Sequence, residues 1–247
     1  LANWAIDFVP NRGENGVAEK LYRGVESFMM NRLDAQIENS TAALTARSQM
    51  TGVVPASQML APIGVWQESF SEPTSSRHAE RRVVYFGSMD TRNGVPFLAD
   101  VFGAMLKLDS TLRIDVIGEG ESSALMQSLA IQFPNQFTFH GYIADQHLID
   151  SILRKSVVAI APYDETPGSF TQFADPQKLK YYASNGVPTV LTNVAPAAQI
   201  MHNRGSAVLL SQADGVDRWT KAVLDWLDNP DEWIKAAKSS YEYALDF

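Results

Sequence analysis

Strand-like and helix-like stretches alternate along almost the whole chain, and no other feature restricts its fold as much. Apolar strands separated by amphipathic helices assemble into a parallel sheet wrapped by crossover helices, so the class expected is α/β. Residues 4–8 read as a strand, 15–32 as a long amphipathic helix and 34–38 as a second strand. A helix at 41–49, opened by the capping pair Ser40-Thr41, and a short strand at 59–62 follow. The stretch 68–82 is polar, Ser-rich and without apolar period, which predicts a connector between two domains. Beyond it, strands are expected at 83–86, 112–117, 137–139, 157–161, 188–192 and 207–210, with helices between them. Two closing helices, 217–227 and 231–245, are separated by Asp228-Asn229-Pro230, a stop followed by an N-terminal proline signal. Trp219, Trp226, Trp233 and Tyr241 share one apolar side there, a pattern of core packing.

Composition removes several function classes. With 20 Lys+Arg against 28 Asp+Glu the net charge is −8, and no Lys/Arg run occurs, which argues against affinity for nucleic acid. Cysteine is absent, excluding a disulfide framework, a thiol nucleophile and a Cys-based zinc site. The four histidines, His78, His140, His147 and His202, show no metal-ligand spacing, so no metal is expected. Walker and G-x-S-x-G motifs are missing as well. No apolar run approaches the roughly 18 to 20 residues of a spanning helix. The chain opens without Met inside a strand reading and lacks a signal-peptide layout, so it reads as a fragment of a longer protein.

In a doubly wound sheet the ligand lies outside the carboxyl ends of the strands. Three loops there are candidates. The first, 87–94, is a Gly-Ser strand-to-helix turn that could let backbone approach a phosphate; an ordinary turn is the alternative. In the second, Gly118-Glu119-Gly120, Ser123 stands where a dinucleotide fingerprint needs its third glycine, so a nicotinamide dinucleotide is rejected. The third is a helix bounded by Asp175-Pro176 and Gly186. Its first turn carries Lys178, where the helix dipole disfavours a cation unless an anion binds; a solvated lysine is the alternative. Lys178 and Tyr181, three apart, share one face, and Leu179 and Ala183 are expected inside. The adjacent carboxylates Asp164 and Glu165 read as solvated loop charges.

The blocks YFGSMDTRNGVPFL, IDVIGEG, FTFHGYI, VAIAPY and DPQKLKYYASNGVPTVLT, in this order over about residues 83–192, resemble the nucleotide-sugar domain of GT-B glycosyltransferases of the group 1 type. Ala161-Pro162-Tyr163, with Lys178 fifteen residues after the tyrosine, is similar also to the xanthan-type glucuronosyltransferases. IDFVPNR, NRLDAQIENS and MLAPIGV resemble the closing strands of the partner N-terminal domain.

The resemblance implies a GT-B chain: part of an N-terminal Rossmann-like acceptor domain over 1–70, a linker at 71–82, a nucleotide-sugar-binding Rossmann-like domain over 83–228, and a C-terminal helix at 229–247 crossing back to the first domain. It implies transfer of a sugar, hexosyl or glycuronosyl, from a nucleoside diphosphate sugar such as a UDP-sugar to a saccharide or lipid-linked acceptor in surface or exopolysaccharide assembly. No metal or cofactor is required. A cytoplasmic place is implied, with peripheral contact at the inner membrane face through a preceding N-terminal part.

Carried over by position, Gly87 and Ser88 line the diphosphate, Gly118 and the backbone of Tyr142 and Ile143 frame the base, Lys178 pairs with the phosphates and Tyr163 borders the sugar or diphosphate pocket; Met89, Gln177 and Tyr181 complete the implied nucleotide-sugar-binding set. Two positions depart from most group 1 members: Tyr181 stands where a ribose-gripping Glu is usual, and Ser88 where a basic residue is. No catalytic base is assigned; Asp7 and Arg12 are acceptor-side candidates. A GT-B-fold UDP-sugar 2-epimerase and a non-catalytic nucleotide-sugar-binding subunit are the alternative readings.

Overall fold

The computed structural model describes residues 2–5, 8–9 and 16–247. Residues 6 and 7 of the first expected strand, the helix start at Asn15, and the acceptor-side candidates Asp7 and Arg12 lie outside them. The architecture is α/β with parallel sheets, as the alternation requires, and the contacts divide the chain into two units.

The first unit comprises Leu1–Ile63, Thr166–Pro176 and Val194–Pro196. Its elements are β1 (Ala2–Ala5), α1 (Gly16–Met30), β2 (Ala35–Glu38), α2 (Thr41–Thr51) and β3 (Ser57–Leu60), and the three strands form a parallel sheet in the order β1-β2-β3. Helix α2 starts where Ser40, extended in the backbone, accepts the Ala43 N–H at 3.0 Å, and it stops at Gly52, whose φ of +70° is left-handed. Buried charge here is paired. Arg47, on the buried face of α2, places Nε 2.5 Å from Glu38 Oε1 and Nη1 2.7 Å from Glu26 Oε2. Thr166–Pro176 joins this unit through Phe173, which meets the Phe8 ring edge-on at 5.2 Å and whose carbonyl accepts the Ser40 hydroxyl.

The second unit takes the remainder, Gly64–Glu165, Gln177–Asn193 and Ala197–Phe247. Its strands are β4 (Arg82–Phe86), β5 (Arg113–Ile117), β6 (Phe137–Gly141), β7 (Val158–Ala161), β8 (Thr189–Leu191) and β9 (Ala207–Leu209). They form one parallel sheet in the order β6-β5-β4-β7-β8-β9. The helices are α3 (Val95–Leu108), α4 (Ser123–Gln132), α5 (Gln146–Leu153), α6 (Gln177–Ser184), α7 (Pro196–Asn203), α8 (Val216–Asp228) and α9 (Pro230–Ala244). The chain builds outward from β4 through β5 to β6, then returns with β7 on the other side of β4. The strand order therefore reverses between β4 and β7, the point where such sheets open a crevice for a ligand. Leu98, Phe102 and Met105 of α3, Val83 and Tyr85 of β4, and Trp219 and Trp233 belong to one buried cluster. Trp226 packs against it and Tyr241 meets Phe70 edge-on, so the aromatic positions do pack.

The stretch expected to be a linker is structured. It forms 3₁₀ turns at Gln67–Ser69 and Ser75–Glu80, and its polar side chains are spent on the second unit: Ser69 Oγ donates to Asp150 Oδ2 at 2.8 Å and Arg77 to the Asn185 carbonyl. Hydrogen bonds replace apolar periodicity there, which is why no pattern showed. Helix α9, expected to cross back, is grouped with the second unit, where it packs against α6 and α8.

Candidate nucleotide cleft

The tips of β4, β5 and β6 enclose a cleft of about 240 Å³ lined by Phe86, Gly87, Ser88, Ile117, Gly118, Glu119, Tyr142 and Ile143. Five of the residues singled out by sequence, Gly87, Ser88, Gly118, Tyr142 and Ile143, thus meet in one place. Tyr142 stands 71% exposed at its lip, and Glu119 Oε1 lies 3.3 Å from the Tyr142 N–H. The glycines shape the floor rather than donate to a ligand, because the Gly87 N–H goes to the Ile117 carbonyl (3.0 Å) and the Gly118 N–H to that of Gly141 (2.8 Å). Gly118 has φ +134°, and a Cβ there would lie 1.9 Å from the Gly87 carbonyl oxygen, so any side chain would force the two loops apart.

Lys178, in the first turn of α6, reaches the loop after β4. Its Nζ donates to Asn93 Oδ1 at 2.7 Å and to Tyr85 Oη at 3.3 Å. The ammonium also lies 4.8 Å from the Tyr85 ring centroid and 4.7 Å from that of Tyr163, within cation–π range of both. A Cβ on Gly87 would be 2.8 Å from Nζ, so that glycine leaves the lysine its room. Burial lowers the Lys178 pKa to about 7, opposed by the charge of Asp90. The third N–H of Lys178 has no hydrogen-bond partner among the described residues. The amine is a held, partly desolvated cation beside Gly87; like Gln177 it is not one of the residues that line the cleft, and it neighbours the cleft through that glycine.

Other expected site residues stand elsewhere. Met89 is turned into the core, fully buried; its N–H donates to the Glu119 carbonyl (2.8 Å) and its own carbonyl accepts from Ser122 (2.8 Å), so it packs the loop and offers a ligand nothing. Tyr181 is 4% exposed, its ring edge-on to Phe86 at 6.0 Å, and burial raises its pKa, with Asp150 adding to the effect. It fills the wall behind the cleft. Gln177 is exposed on the first turn of α6 and does not line the cleft. Tyr163 is 2% exposed and its hydroxyl has no hydrogen-bond partner among the described residues; burial raises its pKa far above the ordinary phenol value. The Asp175 carboxylate accepts the Ile63 N–H at 2.7 Å, while Leu179 and Ala183 are fully buried, as the helix reading required. Among the described residues no cluster of His, Asp and Glu is placed to hold a metal ion, and no helix is long and apolar enough to cross a membrane.

Sequence reasoning assigned no individual role to Tyr85, or to Asp90 and Asn93 within the candidate loop 87–94. Asp90 ends in the middle of a small network: it accepts from Ser88 Oγ (3.0 Å) and from the Asn93 N–H (3.0 Å) and Nδ2 (2.9 Å). Its role is invisible in the local pattern because the lysine it serves lies 85 residues downstream of Asn93.

The family described as "Glycosyl transferases group 1" matches residues 80–229, more than half of the chain and all of the sheet just described. No curated protein matches the chain. Among solved structures, TarM aligns with a TM-score of 0.76 at 13% identity, over 99% of this chain and 47% of its own. Anabaena Alr3699/HepE in complex with UDP aligns at 0.75 and 13%, over 99% of this chain and 67% of its own. WaaG, a glycosyltransferase involved in lipopolysaccharide biosynthesis, gives 0.71 and 14%, over 100% and 70%. At these identities the likeness is one of fold, the two Rossmann-like domains of GT-B. The chain spans less than half the length of TarM.

Proposed function

Since the chain belongs to the group 1 glycosyltransferases, we propose that the cleft at β4–β6 binds a nucleoside diphosphate sugar, a UDP-sugar in particular, and that the protein carrying it transfers the sugar to a saccharide or lipid-linked acceptor of the cell surface. The observation that carries this reading is the Lys178 ammonium, delivered by α6 to the loop after β4 with one N–H uncommitted. The diphosphate lies by Ser88 and Lys178; the base lies toward Tyr142 and Ile143. Cleavage of the bond between the anomeric carbon and the diphosphate oxygen leaves its electron pair on the diphosphate, and a fixed cation there favours the departing charge. That arrangement needs no metal. The structure of Anabaena Alr3699/HepE with UDP supports the choice of uridine. A place in polysaccharide assembly rests on the lipopolysaccharide role printed for WaaG, and a cytoplasmic site of action on the nucleotide donor itself.

Calorimetric titration with UDP tests the reading, with GDP and ADP as controls for the base. A charge-assisted contact contributes roughly 1.5 to 3 kcal/mol, so Lys178→Ala is expected to weaken UDP binding about ten- to a hundredfold. Equal affinity in wild type and variant would sink the assignment. Release of UDP from UDP-sugars, dependent on a lipid-linked acceptor, tests the transfer.

A further inference from the structure

The Lys178 ammonium stands beside an amide, and that amide in turn holds the Asp90 carboxylate. Asn93 Oδ1 accepts from Nζ at 2.7 Å. The orientation of that amide is fixed from the other end, since Asn93 Nδ2 donates to Asp90 Oδ1 at 2.9 Å and to Ser88 Oγ at 2.8 Å. Turning the amide over would set its NH₂ against the ammonium and its oxygen against a carboxylate, so one orientation is locked. Asp90 is meanwhile filled by other donors: Asn93 N–H on Oδ1, and Ser88 Oγ at 3.0 Å and Arg92 Nη2 at 3.4 Å on Oδ2. The Asn93 side chain is held by a backbone that allows no drift. Its own N–H caps the 3₁₀ turn onto Asp90, and Gly94, with φ +69°, follows at a point where a Cβ would lie 1.7 Å from the Pro162 carbonyl oxygen.

We propose that Asn93 is a positioning residue for anion binding: its amide aims the Lys178 ammonium at the cleft and acts as a neutral spacer that keeps the Asp90 carboxylate from pairing with it. This rests on the reading of the cleft as a diphosphate site. A carboxylate at position 93 would hold the lysine equally well but cancel its charge, leaving little attraction for an anionic ligand. An amide holds it and leaves the charge to the ligand. The other groups facing Nζ support this division of labour. From β4 comes Tyr85, whose hydroxyl donates to the Ser88 carbonyl at 2.9 Å and presents its lone pairs to the lysine; from the end of β7 comes the face of Tyr163. Tyr182 of the same helix spends its hydroxyl on Phe86. The phenols of Tyr85, Tyr163 and Tyr182 are pushed by burial well above their ordinary range and stay neutral. Asp90 and Arg92 are the charged groups of the loop, and they face each other. Position 93 therefore decides how much of the Lys178 charge is left for a ligand, beside a cleft whose lining also carries the Glu119 carboxylate.

The test is UDP titration from pH 6 to 9.5 with wild type, Asn93→Asp, Asn93→Ala and Lys178→Ala, each first checked for native circular dichroism. Asn93→Asp is expected to weaken UDP binding at least tenfold at pH 6.5 and to move the alkaline fall in affinity upward by a pH unit or more, since a carboxylate stabilises the protonated amine. Asn93→Ala is expected to weaken binding several-fold and to move the fall downward, the amine having lost its acceptor. A residue that merely stiffened the loop would shift neither limb, or both in the same direction, and that result overturns the proposal. So does an Asn93→Asp protein that binds UDP as wild type does. Should Asn93→Asp fail to fold, the direction of the Asn93→Ala limb alone decides. Wild type that binds no UDP would instead overturn the diphosphate reading itself, before any variant is compared.

Discussion

Lys178 shows what a single residue does to the pH response of this site. Burial holds its pKa at about 7 in the ligand-free protein, against the pull of Asp90, whereas in an unfolded chain a lysine keeps its proton to roughly pH 10.4. A diphosphate beside it favours the charged form, so binding takes up a proton above pH 7. UDP affinity is expected to fall as pH rises above about 7, by up to about tenfold per unit, and calorimetry in buffers of different ionisation heat should show proton uptake; a flat profile would remove Lys178 from the site. The stability of the ligand-free protein moves the other way. Its unfolded state binds the extra proton between about pH 7 and 10, so the penalty for a buried ammonium is complete below pH 7 and fades as the amine deprotonates. Denaturant midpoints should therefore rise from pH 7 to 9 while affinity drops. Lys178 could be singled out in the sequence as a candidate because a cation in the first turn of a helix conflicts with the dipole. Asn93 could not, since its partner is remote in sequence, and Tyr181 was misplaced because helix spacing assigns a face without saying that Phe86 fills it.

Among elements, the pairing of α6 with β4 carries the site, because it sets the lysine against the loop that follows the strand. One side chain ties them. The Tyr182 hydroxyl accepts the Phe86 N–H at 2.7 Å and donates to the Phe86 carbonyl at 3.1 Å, at the last residue of β4. Tyr182→Phe keeps the ring and strands both backbone groups, which should cost about 1 to 3 kcal/mol of stability and lower UDP affinity by loosening Lys178; an unchanged denaturation midpoint would show that solvent replaces the hydroxyl. The order of strands and helices was legible from apolar period and from caps such as Ser40, whose side chain does accept the backbone N–H of Ala43. The role of residues 68–82 was not, because Arg77 and Ser69 act through hydrogen bonds to Asn185 and Asp150, and such bonds leave no periodic trace.

On the scale of the molecule, the second unit holds the cleft and Trp219 and Trp233, the tryptophans fully buried among the described residues, while Trp66 is 69% exposed. Tryptophan emission should therefore follow mainly the unfolding of the second unit. UDP at about a hundred times its Kd adds about 2.7 kcal/mol, roughly 2 to 4 °C of melting temperature per kcal/mol at this size; a tryptophan-detected midpoint indifferent to UDP would contradict binding there. The shift in composition was read at residues 68–82, whereas the contacts divide the chain after Ile63 and leave that stretch in the second unit; the interleaving had no signal at all, because Thr166–Pro176 joins the first unit through contacts such as Ser40 with Phe173 that no local pattern announces. That interleaving dictates an order of assembly during translation. Residue 166 leaves the ribosome 103 residues after Ile63, the end of the first stretch of its unit, a delay of roughly 5 to 20 s at common synthesis rates. For that interval the residues of β1–β3 have been synthesised and Phe173 has not. The first unit to begin is thus among the last to close, and a nascent chain of this design depends on its later half to finish what its earlier half started.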